Sequence, residues 1–168
     1  MLTANLAPQL VSVPALNRIA HPTDLTQASD NALDWAMALA KNNDAELLLL
    51  HVVPPPTPVF EAESPVKSQA ELQLSLLLTK VKLKNLRVRG FVLSGTKSID
   101  QQIVQAAELE KIDLIVMGTN GRTGLSRLFV GSVASRVIAR AHYPVLVIPR
   151  EPINRDHRSK SKFISSVE

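Results

Sequence analysis

The chain alternates five short apolar runs with segments in which apolar residues recur at helical spacing. The runs occupy residues 18–23, 45–53, 86–93, 114–118 and 145–148. Most of them are unbroken rather than alternating, which is typical of parallel strands covered on both faces. Strands that alternate with helices are joined by right-handed crossovers. The sequence therefore predicts an α/β fold, in which helices cover both faces of a single open, five-stranded parallel sheet.

Four of the intervening segments carry an apolar stripe of the kind that packs a helix on a sheet. The predicted stripes are Leu33, Ala36, Met37 and Ala40; Ala70, Leu74, Leu77, Leu78 and Val81; Ile99, Ile103, Ala106 and Ala107; and Val133, Ala134, Val137, Ile138 and Ala141. Ser98 and Gln101 form a capping-box pattern at the start of the third helix. In the fourth helix, Arg136 and Arg140 lie outside the stripe.

Length and composition suit one domain, because 168 residues of which 45% are hydrophobic can bury a substantial core. No apolar stretch is long enough to cross a bilayer, and residues 1–17 carry no charge, so the basic region of a secretory signal is missing. We therefore expect a cytoplasmic protein with no membrane partner. The domain is predicted to cover residues 18–149, between an uncharged arm (1–17) and a polar basic tail (150–168) that we expect to be mobile.

The charge of the chain does not predict binding to nucleic acid. Half of the net charge of +4 lies in the tail, where five basic residues oppose three acidic ones. The body of the domain is only weakly basic. The absence of cysteine also excludes disulfides and thiolate metal sites.

A glycine-bearing stretch follows the fourth apolar run. Gly118 and Gly121 are followed, after nine residues, by Gly131-Ser132 at the start of the fourth predicted helix. A strand, a loop and a helix N-terminus form the arrangement in which backbone N–H groups converge on an anion. The glycines would let the backbone turn sharply near a ligand, and Arg122 could add charge. The stretch predicts phosphate binding; the alternative is that the glycines are ordinary turn residues and Ser132 only caps the helix.

Further polar residues leave the carboxyl ends of the strands, where open parallel sheets bind ligands. Asp24 either satisfies loop N–H groups and caps the first helix, or contacts a ligand or a phosphate-bound divalent cation. His21 and His51 lack a well-spaced third ligand, so polar packing is favoured over a metal site. The sequence has no nucleophile elbow and no G-K-[ST] phosphate loop, and Ser126 and Ser132 lack an evident His–Asp relay. No catalytic residue is predicted.

Three stretches resemble the universal stress protein family: residues 19–24 with Ser29, residues 117–124, and residues 129–134 leading to 143–149. The resemblance implies a Rossmann-like fold of the adenine nucleotide alpha hydrolase type, with strand order 3-2-1-4-5. The ATP-binding branch of the family implies ATP or AMP as ligand, with Mg²⁺ or Mn²⁺ held through the phosphates and Asp24 as a candidate contact. The nucleotide-binding residues implied are Pro22, Thr23, Asp24, Val53, Met117, Gly118, Thr119, Gly121, Arg122, Gly131, Ser132 and Val133.

The resemblance implies a stress-response protein that acts as a nucleotide sensor or regulator. Two alternatives stay open: a nucleotide-free dimeric interaction module, and a slow, metal-dependent ATPase or phosphotransferase. In the implied strand order the fifth strand is outermost, and an exposed apolar edge is a liability unless it is covered. Because the family commonly dimerises along this strand, we expect a homodimer. The residues of the expected interface are Val145, Leu146, Val147 and Ile148.

Overall fold

The five apolar runs form one parallel sheet in the computed structural model, which describes residues 14–53, 65–119 and 131–149. The strands are β1 (Arg18–Pro22), β2 (Glu46–Val53), β3 (Val88–Ser94), β4 (Leu114–Gly118) and β5 (Val145–Ile148). The helices are α1 (Asp30–Asn43), α2 (Pro65–Lys82), α3 (Ile99–Leu109) and α4 (Ser132–Arg140), with a 3₁₀ turn at Gln27–Ser29 before α1. The sheet order is β3-β2-β1-β4-β5. The predicted fold class and strand order are therefore confirmed.

Alternate residues of each strand face opposite sides of the sheet, and this separates two apolar cores. Leu47 and Leu49 of β2 face α1 and α2, whereas Leu48 and Leu50 face α3 and α4. All four leucines have at most 1% of their surface exposed. Because both faces of the strand are buried, its sequence is a continuous apolar run rather than an alternating one.

The helices confirm most of the predicted stripes and correct two details. The backbone N–H of Ser98 donates to Oε1 of Gln101 at 3.1 Å, as the capping-box pattern predicts. Ile138, predicted to lie in the stripe of α4, is instead 46% exposed. The helix α2 carries its predicted buried stripe and, in addition, an exposed row of leucines that the sequence reading missed. They are Leu72 and Leu76, and Leu83, one residue beyond the end of the helix, is exposed as well.

The hydrogen-bonded ladder is unequal on the two sides of β1. Five residues of β1 pair with β2, but only Ile19 and Ala20 pair with β4, opposite Leu114 and Ile115. The chain turns to β2 on one side of β1 and reaches β4 on the other, so the strand order reverses here. Open α/β sheets place their ligand crevice outside the carboxyl ends of the strands at such a point.

No helix within the described ranges is both long enough and apolar enough to span a membrane.

Candidate functional site

A cavity of about 460 Å³ opens at the carboxyl ends of β1, β2 and β4. Its walls come from three strand ends, the 3₁₀ turn, the start of α3 and the N-terminus of α4. The lining residues are Pro22, Thr23, Asp24, Ala28, Ser29, His51, Val52, Ile99, Ile103, Met117, Gly118, Gly131, Ser132, Val133 and Ala134. Small-molecule sites are typically clefts of about 300–1,000 Å³ with mostly apolar walls and a few polar groups. This cavity has the size, the lining and the position in the sheet of a ligand site.

The N-terminus of α4 contributes one wall of the cavity. Gly131 is the N-cap, with φ −53° and ψ 152°, and it makes no side-chain cap hydrogen bond because it has no side chain. Ser132 is the first helical residue and is exposed. The leading N–H groups of a helix and its dipole favour an anion. This wall is suited to a negatively charged part of a ligand.

A compact hydrogen-bonded loop holds Asp24 at the rim of the cavity. Its Oδ1 accepts from the backbone N–H of Thr26 at 3.0 Å, from the hydroxyl of Thr26 at 2.8 Å, and from the hydroxyl of Ser29. Thr26 in turn caps the 3₁₀ turn by accepting from the N–H of Ala28. The local role predicted for Asp24 is therefore present, and the same contacts fix its carboxylate beside the cavity.

The two histidines bind separate backbone carbonyls. His51 contacts the carbonyl oxygen of Thr23 through Nδ1 at 2.9 Å, which joins the ends of β1 and β2 at the cavity. His21 is fully buried, and its Nδ1 lies 2.9 Å from the carbonyl oxygen of Val116. Since a carbonyl can only accept, each Nδ1 carries the proton. The described residues contain no cluster of three or more His, Asp or Glu side chains that could hold a metal ion.

Burial dominates the titration of His21. Desolvation lowers the pKa of this imidazole to about 4, against smaller raising effects from the bond to Val116 and from Asp24 and Asp30. Its Nε2 has no hydrogen-bond partner among the described residues. The ring is thus neutral at physiological pH, and packing replaces hydration at that nitrogen.

The structure brings together most, but not all, of the predicted binding residues. Eight of them line the cavity: Pro22, Thr23, Asp24, Met117, Gly118, Gly131, Ser132 and Val133. At the end of β2 the lining residue is Val52, one position before Val53, which is buried and pairs with β3. Thr119 donates its N–H to the carbonyl of Ile148 and is not a lining residue. Gly121 and Arg122 lie outside the described residues.

Gly118 does not make the sharp turn that was expected of it. It is the last residue of β4, opposite Ile148, and no glycine in the described ranges has a positive φ. A Cβ added here would lie 3.6 Å from the carbonyl oxygen of Ala28 and 3.7 Å from Cβ of Ala32, which are ordinary contacts. The backbone of Gly118 reaches the cavity as an extended strand end rather than as a turn.

The sequence did not predict an ion-pair cluster between α3 and α4, beside the cavity. Arg136 and Arg140 both contact Asp100, a buried carboxylate in the first turn of α3. The local sequence carries no signal of this pairing, since the partners lie 36 or more positions apart. Ser29, Ala28, His51 and the isoleucines of α3 also line the cavity without having been named as binding residues.

The sheet order and the cavity at its switch point define the class: an open, doubly wound α/β domain with a ligand crevice at the carboxyl ends of its strands. The model of the universal stress protein family matches residues 16–149, and the chain belongs to that family.

Relatives and solved structures agree with this assignment. The chain is 39% identical over 141 residues to a universal stress protein of Methanocaldococcus jannaschii, covering 79% of this chain and 82% of the relative. A universal stress protein of Archaeoglobus fulgidus in complex with dAMP has 22% identity and a TM-score of 0.63, over 80% of this chain and 99% of that one. Another universal stress protein, in complex with cAMP, has 21% identity and a TM-score of 0.63, over 82% and 100%. At these identities the two structures establish the shared fold.

Proposed function

We propose that this protein binds an adenine nucleotide, ATP or AMP, and acts as a sensor or regulator whose state depends on occupancy. The observation that carries the proposal is the cavity itself, which sets a helix N-terminus opposite apolar strand and helix residues. A nucleotide has the same division, with an anionic end and a flat, largely apolar base. The complexes of relatives with cAMP and dAMP support this choice of ligand.

The phosphates would lie against Gly131 and Ser132, where the first N–H groups of α4 meet the cavity. The base would lie among Val52, Ile99 and Met117 on the opposite side. The ribose would then pass the rim held by Asp24. A divalent cation, Mg²⁺ or Mn²⁺, would bind through the phosphates, because Asp24 is the only carboxylate among the described lining residues.

Binding rather than rapid turnover is the proposed activity. Phosphoryl transfer depends on a positioned nucleophile or water and on charge stabilisation around the transferred group. The described lining residues that could accept a proton are Asp24, whose Oδ1 already accepts from Thr26 and Ser29, and His51, whose Nδ1 is bound to the carbonyl of Thr23. The proposed setting for this regulatory role is the cytoplasm.

We expect Gly131→Val to abolish binding of ATP and AMP, because a branched side chain at the N-cap would occupy the space of the phosphate. Ser132→Ala should weaken binding by about 1 kcal/mol, the typical worth of one hydrogen bond. Isothermal titration calorimetry on protein freed of co-purified nucleotide measures both. Gly95→Val is the matched control, since a Cβ there meets only Oε1 of Gln102, at 3.8 Å.

Unchanged affinity in Gly131→Val would contradict the proposed phosphate position. A wild-type protein that binds neither nucleotide would instead favour the nucleotide-free interaction module.

We further propose a homodimer along β5. This strand is outermost in the described sheet and pairs on one side with β4. Val145, Leu146 and Val147 are only half-buried, although all are apolar. An antiparallel pairing of two β5 strands about a two-fold axis would cover this edge.

We expect Val147→Lys to shift the protein from dimer to monomer, because a charge in the pairing edge must be desolvated when two copies meet. Light scattering at micromolar concentration measures the mass, and circular dichroism verifies the fold. Val66→Lys places the same charge on α2, at a position that is 56% exposed, and should leave the mass unchanged. A monomeric wild type would refute the proposed dimer.

A further inference from the structure

Asp100 is a buried acid next in the chain to a residue that lines the cavity. It occupies the first turn of α3, where the preceding residue, Ile99, lines the cavity. Its side chain has 0% exposure. A carboxylate in such a place is costly unless its charge is matched.

Two arginines from one helix match this charge. Nε of Arg136 lies 2.9 Å from Oδ1 of Asp100, and Nε of Arg140 lies 2.7 Å from Oδ2. The arginines are one helical turn apart on α4, and each is half-exposed, so their positive charge reaches the acid from the solvent side. Burial alone raises the pKa of Asp100, but hydrogen bonds from Arg136, Ser98 and its own backbone, together with the ion pair to Arg140, bring it below its usual value.

This ion pair adds to the apolar contacts that join α4 to α3. The helix has nine residues, and only Ala134 and Val137 are buried. Among the described elements, α4 packs chiefly against α3. The apolar contact between α4 and α3 is small. Because Asp100 contacts two successive turns of α4, it fixes both the distance of α4 from α3 and the angle between the two helices.

The first residues of the same helix form the polar wall of the cavity. Gly131 to Ala134 line it, and Arg136 follows within half a turn. Hydrogen bonds from backbone N–H groups weaken steeply as distance and angle depart from their optimum. A shift of α4 relative to α3 would therefore change contacts with an anionic ligand and leave the β-strand wall at Val52 and Met117 in place.

We propose that Asp100 is a positioning residue that aims the N-terminus of α4 at the phosphate group of the ligand, through Arg136 and Arg140. It thereby determines how strongly the site prefers nucleotides to nucleosides. This inference rests on the proposed nucleotide binding, and it assigns Asp100 no direct contact with the ligand.

The experiment compares three probes, adenosine, AMP and ATP, by calorimetry on wild type and Asp100→Asn. We expect Asp100→Asn to weaken binding of AMP and ATP by about tenfold, as loss of well-aligned hydrogen bonds to a charged group does. Adenosine affinity should change less than about twofold, since its proposed contacts at Val52, Ile99 and Met117 lie on the strands and on α3 rather than on α4. A merely structural role would weaken all three probes together.

Glu46→Gln is the matched control. Glu46 binds Arg89 through two hydrogen bonds of 2.8 and 3.2 Å, but it lies at the amino end of β2, whereas the cavity lies at the carboxyl ends of the strands. Its loss should leave the ratio of ATP to adenosine affinity unchanged. If Asp100→Asn fails to fold, Arg136→Gln and Arg140→Gln are the alternative variants. Each removes one of the two ion pairs at a half-exposed position, and each should lower the ratio of ATP to adenosine affinity by a smaller factor.

An unchanged ratio of ATP to adenosine affinity in Asp100→Asn, Arg136→Gln and Arg140→Gln would overturn the positioning role while leaving nucleotide binding intact. Failure of the wild type to bind any of the three probes would instead reject the proposed function.

Discussion

Truncation of Leu48 to alanine is expected to lower the free energy of unfolding by about 3–5 kcal/mol. Leu48 has 0% exposure and lies in β2, which pairs with strands on both sides. Its side chain packs in the core that includes Ile103 and Ala107 of α3. The loss combines the transfer of the removed methyl groups with the cavity that the surrounding strands cannot close.

Denaturant unfolding followed by circular dichroism measures this change. The matched control is Leu72→Ala on α2, where the leucine is 62% exposed and the expected change is within about 0.5 kcal/mol. Similar effects for the two substitutions would show that β2 is not buried as described.

The protein is also expected to lose roughly 3 kcal/mol of stability to His21 between pH 6.5 and pH 4. The folded state holds the pKa of this histidine at about 4, below the ordinary value of 6.5. As the pH falls through 6.5, His21 binds a proton in the unfolded chain but stays neutral in the folded one. His21 therefore leaves the stability of the folded state unchanged above pH 6.5. It lowers that stability as the pH decreases from 6.5 to about 4, and has no further effect below that pH.

Equilibrium unfolding at a series of pH values tests this prediction against the variant His21→Asn, which cannot titrate. The difference in slope between wild type and variant should lie between pH 6.5 and pH 4, because carboxylates such as Glu46 are present in both proteins and contribute equally to both slopes. His142→Asn removes a histidine from an exposed site and should retain the slope of the wild type. Parallel curves for His21→Asn and the wild type would mean that His21 gains a proton in the folded protein as readily as in the unfolded one.

Most of the fold was predictable because it depends on local apolar patterns. The run 114–118 coincides with β4, and the run at 45–53 begins one residue before β2. The run at 86–93 begins two residues before β3, because Leu86 packs against the core without joining the ladder. An apolar pattern marks burial, and strand pairing follows burial only approximately.

The candidate site was predictable where sequence neighbours act together, as at Pro22 to Asp24 and Gly131 to Val133. It was not predictable where distant residues meet. The pairing of Asp100 with two arginines of α4 has no local signature, since each charge alone resembles a solvated one. The choice between Val52 and Val53 depends on which face of β2 meets the cavity, and the nearly continuous apolar run of this strand does not show which residues share a face.

The short ladder between β1 and β4 gives ligand occupancy a consequence for the lifetime of the protein. One block of the sheet holds β3, β2 and β1, the other holds β4 and β5, and beyond Ala20 a described link between them is the side chain of His21 on Val116. The proposed nucleotide would touch both blocks, since Thr23 and Met117 both line the cavity, and its binding would stabilise the folded sheet. Proteases act on the opened form of a protein in proportion to its population. Protein molecules with bound nucleotide would therefore be degraded more slowly than empty ones, and the amount of the protein in the cell would rise with the nucleotide concentration.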